Sequence, residues 1–303
     1  MNATILSNNE KHYPVLLKEI LSIISPQNGG TFIDCTFGQG GYSQSILKFS
    51  KTKVIALDRD IDCKKVAENL ERKNKKRFTF YNKKFGNIDQ IDYQDLKVKG
   101  IIFDLGYSYT QIKDPKKGLS FESSGLLNMR MGINEFTASD VVNKLEQKDL
   151  ELIFKFFGDE EKSKIISKKI VLERNRGLID TQKLVKIINS SKKHNNKKIH
   201  NATKVFQALR IFVNKEISEL IYALIKSVKI LDVNGLIVVV SFHSLEDKII
   251  KYFFKNLSEQ NKISRYYPEP LKEKKVLKIV TKKPILPSKD EIAINKPSRS
   301  AKL

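Results

Sequence analysis

The chain has 303 residues, 40% of them hydrophobic, which suffices for a real core and excludes a mostly disordered chain. Its 56 Lys and Arg against 34 Asp and Glu give a formal charge of +22, a balance that suits a polyanionic partner and that AT-rich codon bias toward lysine also produces. Cys35 and Cys63 are too few for a disulfide framework and match no zinc spacing. No apolar run is long enough to span a bilayer, and residues 1–15 lack an apolar leader, so a cytoplasmic protein is expected.

In chain order, residues 31–36, 53–58, 78–82 and 100–105 read as buried strands. Between them, residues 41–49 and 61–73 place apolar groups three or four apart, as helices do. Strand, helix, strand repeated in this way implies right-handed crossovers and a parallel sheet. Residues 113–131 read as an ordered loop, followed by helical spacing over 138–145, 148–157, 160–175 and 181–191. Ser139, Asp140 and Thr181 are the candidate N-caps. The basic run 192–198 predicts a solvated loop. A long helical pattern over 203–231 and a turn at 232–235 lead into a last strand at 236–242. A β-like stretch at 276–281, with a second at 264–267, precedes a basic tail. The expected fold class is α/β: a Rossmann-like, mostly parallel, doubly wound sheet with an inserted helical subdomain. Residues 1–111 and 203–303 form the main domain and 112–202 the insertion.

The first strand gives way to its helix at Asp34-Cys-Thr-Phe-Gly38-Gln-Gly40-Gly41, where a parallel sheet binds ligands. The dinucleotide fingerprint calls for a third glycine where Ser43 stands, and no Gly-Lys-Ser/Thr sequence supports a P-loop. An acidic residue four before the first glycine is the pattern of S-adenosylmethionine enzymes, in which that group lies near the methionine ammonium. Asp58, ending the second strand, suits two ribose hydroxyls, or else caps the next helix. A nicotinamide cofactor fits the loop and Asp58 as well; Ser43 argues against it. Asp104-Leu-Gly106 ends the fourth strand beside the loop. Two roles are open to Asp104: to accept a hydrogen bond from an amine substrate and aim its lone pair, or to hold the cofactor's amino group.

Further motifs are His12-Tyr-Pro-Val-Leu-Leu17, Gly118-Leu-Ser-Phe121, Met129-Arg-Met131, Phe206-Gln-Ala-Leu-Arg-Ile211 and the heptapeptide Ser241-Phe-His-Ser-Leu-Glu-Asp247. With Thr36-Phe-Gly-Gln-Gly-Gly41 and the last six residues, they make the chain resemble, end to end, the bacterial 16S ribosomal RNA cytosine-N4-methyltransferases of the RsmH (MraW) type. The resemblance implies S-adenosyl-L-methionine as cofactor, the N4 amino group of a cytidine in small-subunit ribosomal RNA as acceptor, and neither metal nor membrane. It carries cofactor contacts onto Gly40, Gly41, Tyr42, Asp58, Phe85, Asp104 and Gln111, with Asp104 the candidate catalytic residue. Arg130, Arg210 and His243 are the substrate candidates, and Arg299 is a further possible RNA contact. The tail 299–302 either folds over the site or frays.

The sequence departs from the family at Tyr42, where His is usual, and in Tyr107-Ser-Tyr-Thr-Gln111, where Val-Ser-Ser-Pro-Gln is usual. Ser124, Leu126 and Asn128 replace Asp, Pro and Asp, and Asn201 replaces Pro. These departures leave the substrate side less defined than the cofactor side. A non-catalytic RNA-binding or ribosome-assembly protein with a vestigial pocket is the alternative.

Overall fold

The computed structural model describes residues 14–93, 96–123, 125–192, 200–258 and 275–303. Strands β1 (Gly30–Asp34), β2 (Thr52–Leu57), β3 (Phe78–Tyr81), β4 (Val98–Asp104) and β5 (Leu236–Val240) form one sheet. Their order is β3-β2-β1-β4-β5, and every neighbouring pair is parallel. The order reverses between β1 and β4, so the crevice outside their carboxyl ends is where an open α/β sheet binds ligands. Register brings Asp34 opposite Ala56 and Ile102, and Asp104 opposite Val240, so the strand ends form one rim.

Helices α1 (Leu17–Ile24), α2 (Gly41–Leu47) and α3 (Lys64–Lys73) accompany the first half of the sheet. After β4 come α4 (Tyr109–Lys113), α5 (Ala138–Lys144), α6 (Gln147–Gly158), α7 (Ser163–Arg174), α8 (Thr181–Ser191), α9 (Thr203–Asn214) and α10 (Glu216–Ile230). Helices α11 (Ser244–Ser258) and α12 (Lys289–Ile294) follow β5. Side chains alternate along each strand. Phe32, Val54, Ile102 and Val238 pack with α1 to α3. Their neighbours Ile33, Ile55, Ile101 and Val239 pack with Leu220 and Leu224 of α10 and Ile250 of α11. Both faces are covered, which is why these strands read as continuous apolar runs. Each such side chain, fully buried, contributes about 1.5–3 kcal/mol.

A third core joins Leu127 and Met129 of the loop to Val142, Phe154, Ile170 and Leu184, and extends to Phe206 and Leu209 of α9. The 203–231 pattern is thus two helices, not one. Lys215 takes the left-handed conformation (φ 52°) between them, with no glycine to announce the break. Asn214 explains the stop. Its Nδ2 donates to Met129 O and Arg210 O, and its Oδ1 accepts from Met131 N and Asn134 Nδ2.

Other boundaries also move for hydrogen-bonding reasons. Thr137, not Ser139, caps α5, in a reciprocal box with Asp140, and Asp180, not Thr181, caps α8. Helix α7 begins at Ser163 rather than 160, because the Glu160 carboxylate accepts from Lys162 N and pairs with Lys192. Lys192 is therefore an ion-pair partner and not part of a solvated run; residues 193–198 of that run lie outside the described residues. Residues 276–281 form no strand. Val276 and Leu277 donate to Leu257 O at the end of α11, and Val276 and Val280 are exposed. The expected 264–267 strand falls outside the described residues. The tail does not fray: Ser298 and Ala301 are fully buried, and Lys302 exchanges backbone hydrogen bonds with Ser241. Among the described residues, no helix is long and apolar enough to cross a membrane.

Asn214→Ala strips four buried groups of a partner, so its urea unfolding free energy should fall by at least about 2 kcal/mol. A loss within about 0.5 kcal/mol, the range of neutral surface changes, contradicts this role.

Candidate active site

The loop after β1 is built around Asp34. Its side chain is fully buried, with Oδ2 accepting from Ser43 Oγ at 2.6 Å and Oδ1 from Thr36 N at 3.2 Å. Burial raises its pKa to about 6, against the lowering effect of those hydrogen bonds. Both oxygens face inward and the residue does not line the cavity, which corrects the expectation that Asp34 lies near a cofactor ammonium. The residue at the missing-glycine position supplies the hydroxyl that turns it away. Gly40 (φ 76°) starts α2, and a Cβ there would sit 2.9 Å from the Phe37 ring. Gly38, Gln39 and Gly41 line the cavity, whereas Gly40 shapes the loop beneath.

A cavity of about 860 Å³ runs along the strand ends, at the upper end of the ~300–1,000 Å³ range of small-molecule sites. Asp58 lines it, its Oδ2 accepting from Gly38 N and its Oδ1 from Asp60 N, each at 2.8 Å. Burial pushes its pKa up. It is Asp60 that caps the next turn, accepting from Asp62 N, while Asp58 also takes a hydrogen bond from the Cys63 thiol and still lines the cavity. Phe85 lines the same end, edge-on to Phe103 at 5.8 Å.

Asp104 stands between this end and the far one. Its backbone N donates to Thr36 Oγ1 at 2.8 Å, tying β4 to the loop. Its Oδ2 lies 3.3 Å from Tyr42 Oη, while its Oδ1 is shielded from solvent and has no hydrogen-bond partner. Tyr42 has one hydroxyl hydrogen, which the 2.5 Å bond to Val15 O takes. A protonated Asp104 can then donate to Tyr42. Burial, with further repulsion from Asp34 and Glu246, raises its pKa to about 8. Asp104 lines the cavity, and its buried, orphaned carboxylate oxygen fits a ligand ammonium.

Gln111 also lines the cavity, with both amide ends engaged: Nε2 donates to Asp60 Oδ2 at 2.6 Å, and Oε1 accepts from Ser108 N at 2.9 Å. Lys117 of the loop pairs with Asp60 and Asp62. Burial works against the charge on Asp60, but Lys117 and Gln111 outweigh it and hold its pKa below normal.

The three substrate candidates are not brought together as expected. Arg210 is 9% exposed and outside the cavity lining, its Nε and Nη2 each 2.9 Å from the Glu216 carboxylate. It is committed inside the protein and is not free to grip an RNA backbone. Arg130 donates to Asn128 Oδ1 at 2.9 Å and does not line the cavity. His243 lies just behind it: Nδ1 accepts from Glu246 N, and Nε2 is 3.1 Å from Glu246 Oε1 but out of line for a hydrogen bond. Glu216, His243 and Glu246 offer ligand atoms within 4.8 Å of one another, a grouping the sequence spacing did not suggest. Arg210 already neutralises Glu216, and the amide on Nδ1 leaves the imidazole hydrogen on Nε2, so the set offers no ready nitrogen lone pair.

Several contributors escape a sequence reading. Thr36 stands in the loop motif with nothing to mark its tie to β4, and Glu216 carries no motif. Arg59 crosses from β2 to donate to Asn214 O and Asn134 Oδ1, joining the cofactor end to the insertion. Residues 293–297 close the cavity from the tail, held where Glu291 Oε1 accepts from Leu16 N at 2.7 Å. The Ser288-x-x-Glu291 cap signature was the available signal, with Ser288 Oγ accepting from Glu291 N.

A parallel sheet in this order, with a glycine loop after β1 and carboxylates at the ends of β2 and β4, defines a Rossmann-like domain with a nucleotide-type cofactor site. The family model described as the MraW methylase family matches residues 9–303. The chain is 43% identical over 298 residues to the ribosomal RNA small subunit methyltransferase H of Rickettsia bellii (strain OSU 85-389), covering 97% of each chain. It is 41% identical over 298 residues to that of Rickettsia conorii (strain ATCC VR-613 / Malish 7), with the same coverage. The chain belongs to the MraW methylase family. Among solved structures, an rRNA methylase from Streptococcus thermophilus aligns at 20% identity and a TM-score of 0.24, over 30% of this chain and 57% of that one. That likeness adds nothing to the fold argument.

Asp34 and Asp104 are raised from 3.8 to about 6 and about 8, so folding favours their protonated forms. Their contribution to stability is full below the unfolded value and is lost as pH rises through the folded ones. Melting temperatures of the cofactor-free protein should fall between about pH 5 and about pH 8.5, and Asp104→Asn should remove the upper part of that fall. An equal fall in the variant contradicts the assignment.

Proposed function

We propose that the cavity binds S-adenosyl-L-methionine and that the protein transfers its methyl group to the N4 of a cytidine in small-subunit ribosomal RNA. The observation that carries this reading is Asp104: a shielded, unpartnered Oδ1 at the end of β4, between the glycine loop and the Tyr107 turn. Family membership and the relatives' names support the reaction and the RNA class. When bound, the cofactor supplies an electrophilic methyl group on a sulfonium.

The residues divide the work along the rim. Asp58 accepts from the ribose hydroxyls, and Phe85 covers the adenine face. The amides of Gly41 and Tyr42, in the first turn of α2, are available to the methionine carboxylate. Asp104 takes the ammonium on Oδ1, and its charge is restored as the cation approaches. Gln111 acts by holding the Asp60 turn rather than by direct contact. The acceptor amine enters at the β4–β5 end, where Tyr107, Glu216, Phe242 and Glu246 line the cavity. An exocyclic amine attacks poorly while its lone pair is delocalised, so a carboxylate accepting from its N–H there aims the pair at the methyl carbon. The base must leave its stack to reach this depth.

In this reading, residues 112–202 form a gripping subdomain on a methyltransferase unit of 1–111 and 203–303, with α9 as the shared wall. The net charge of +22 favours the RNA backbone, and a ribosomal substrate supports a cytoplasmic location. A vestigial pocket is not favoured, since the loop and both strand-end carboxylates are intact.

The test is mass spectrometry of small-subunit rRNA nucleosides from cells with and without the gene. N4-methylcytidine should disappear on deletion, return with the wild type, and stay absent with Asp58→Ala or Asp104→Ala. Unchanged N4-methylcytidine on deletion overturns the substrate assignment.

A further inference from the structure

Tyr107, in the turn after Asp104, has surroundings that are both confined and open. It lines the cavity yet remains 43% exposed. On one side the Arg210 guanidinium carbon lies 5.0 Å from the ring centroid. That guanidinium cannot swing away, since Nε and Nη2 are held by the two Glu216 oxygens and the side chain is buried. Burial disfavours the Arg210 charge, but Glu216 and Glu246 more than restore it, so its pKa is raised and the cation persists at every working pH. A cation fixed over a phenol ring holds the ring in place and withdraws electron density through its quadrupole. The rest of Tyr107 is open, and the residue lines the cavity.

The direction of that surface follows from the sheet order. Phe85, Asp58 and the glycine loop belong to the ends of β3, β2 and β1, and they occupy the cofactor end of the cavity. Tyr107 follows β4, and Phe242 and Glu246 follow β5, so they occupy the opposite end, on the β4–β5 side of the cavity. A planar, electron-rich group entering there meets an aromatic face immobilised from behind. This is the arrangement that recognises an unstacked base, because stacking on an aromatic replaces the neighbours the base has lost. Preorganisation adds to it, since the platform loses no rotamer freedom when the base arrives.

We propose that Tyr107 is the stacking platform for the extruded cytosine, held in place by the Arg210–Glu216 pair. This rests on the methyl-transfer reading above and names how that site takes its base. The ring supplies the contact, so the phenol hydroxyl is dispensable, and Arg210 is a positioning residue that does not touch the base. The turn Tyr107-Ser-Tyr-Thr-Gln111 thereby obtains from an aromatic face what an aliphatic residue in that place cannot supply.

The experiment follows methyl transfer from S-adenosyl-L-methionine to small ribosomal subunits purified from cells lacking the gene, with calorimetric cofactor affinity measured alongside. Tyr107→Ala should lower kcat/KM for the subunits by about 10- to 100-fold while leaving the cofactor Kd within about twofold. Tyr107→Phe should restore most of the loss, and Tyr107→Leu, apolar but not aromatic, should not. Thermal melts check that each variant is folded, and Tyr107→Phe and Tyr107→Leu carry the comparison should the alanine variant melt early. Equal kcat/KM for Tyr107→Leu and wild type, or a Tyr107→Phe variant as slow as Tyr107→Leu, overturns the platform. A wild type that forms no N4-methylcytidine overturns the methyl-transfer reading itself, and this proposal with it.

Discussion

The buried hydrogen bond from Ser43 Oγ to Asp34 Oδ2, 2.6 Å long, sets the geometry of everything around the cavity. It fastens the start of α2 to the end of β1 and so fixes how tightly the glycine loop turns. The same loop is then stitched to its neighbours: Thr36 Oγ1 accepts from Asp104 N on β4, and Gly38 N donates to Asp58 at the end of β2. Three strand ends are thus held at fixed separation by one loop. A carboxyl buried this deeply is costly unless it is hydrogen-bonded or protonated, and Asp34 is hydrogen-bonded through both oxygens.

Three acidic residues at three strand ends have different fates because their surroundings differ. Asp34 spends both oxygens on the loop. Asp58 spends part of its capacity on two backbone amides and the Cys63 thiol, and still lines the cavity. Asp104 is left with one oxygen unmatched, a cost that persists only where something else meets it. The insertion is coupled to the same rim through Arg59 to Asn134 and through Lys117 to Asp60, so movement of the insertion is felt at the end of β2.

The sheet, its strands and the cofactor rim were legible in the sequence, because buried parallel strands are uniform apolar runs and the ligand face of such a sheet follows from topology. Asp58 and Asp104 were legible as strand-end residues for that reason, whereas Phe85 came only with the family resemblance. What was hidden depends on contacts distant in the chain. The fate of Asp34 turns on a hydroxyl nine residues on, and Ser43 was informative only as an absent glycine. The break at Lys215 has no glycine or proline because Asn214 enforces it through the loop at Met129 and Met131. Arg210 looked like an RNA ligand because an arginine in a motif carries no sign of whether a carboxylate waits six residues later on the same side. The β-like pattern at 276–281 misled because alternation records apolar residues and not the presence of a sheet edge to receive them.

Calorimetric titration of wild-type protein and Asp104→Ala with S-adenosyl-L-methionine and with its deamino analogue measures directly whether the unpartnered Oδ1 exists to receive the cofactor ammonium. Removing the ammonium should weaken binding to the wild type by about 10-fold or more and change binding to Asp104→Ala by less than about twofold. An equal loss in both proteins would place the ammonium elsewhere and contradict the role proposed for Asp104.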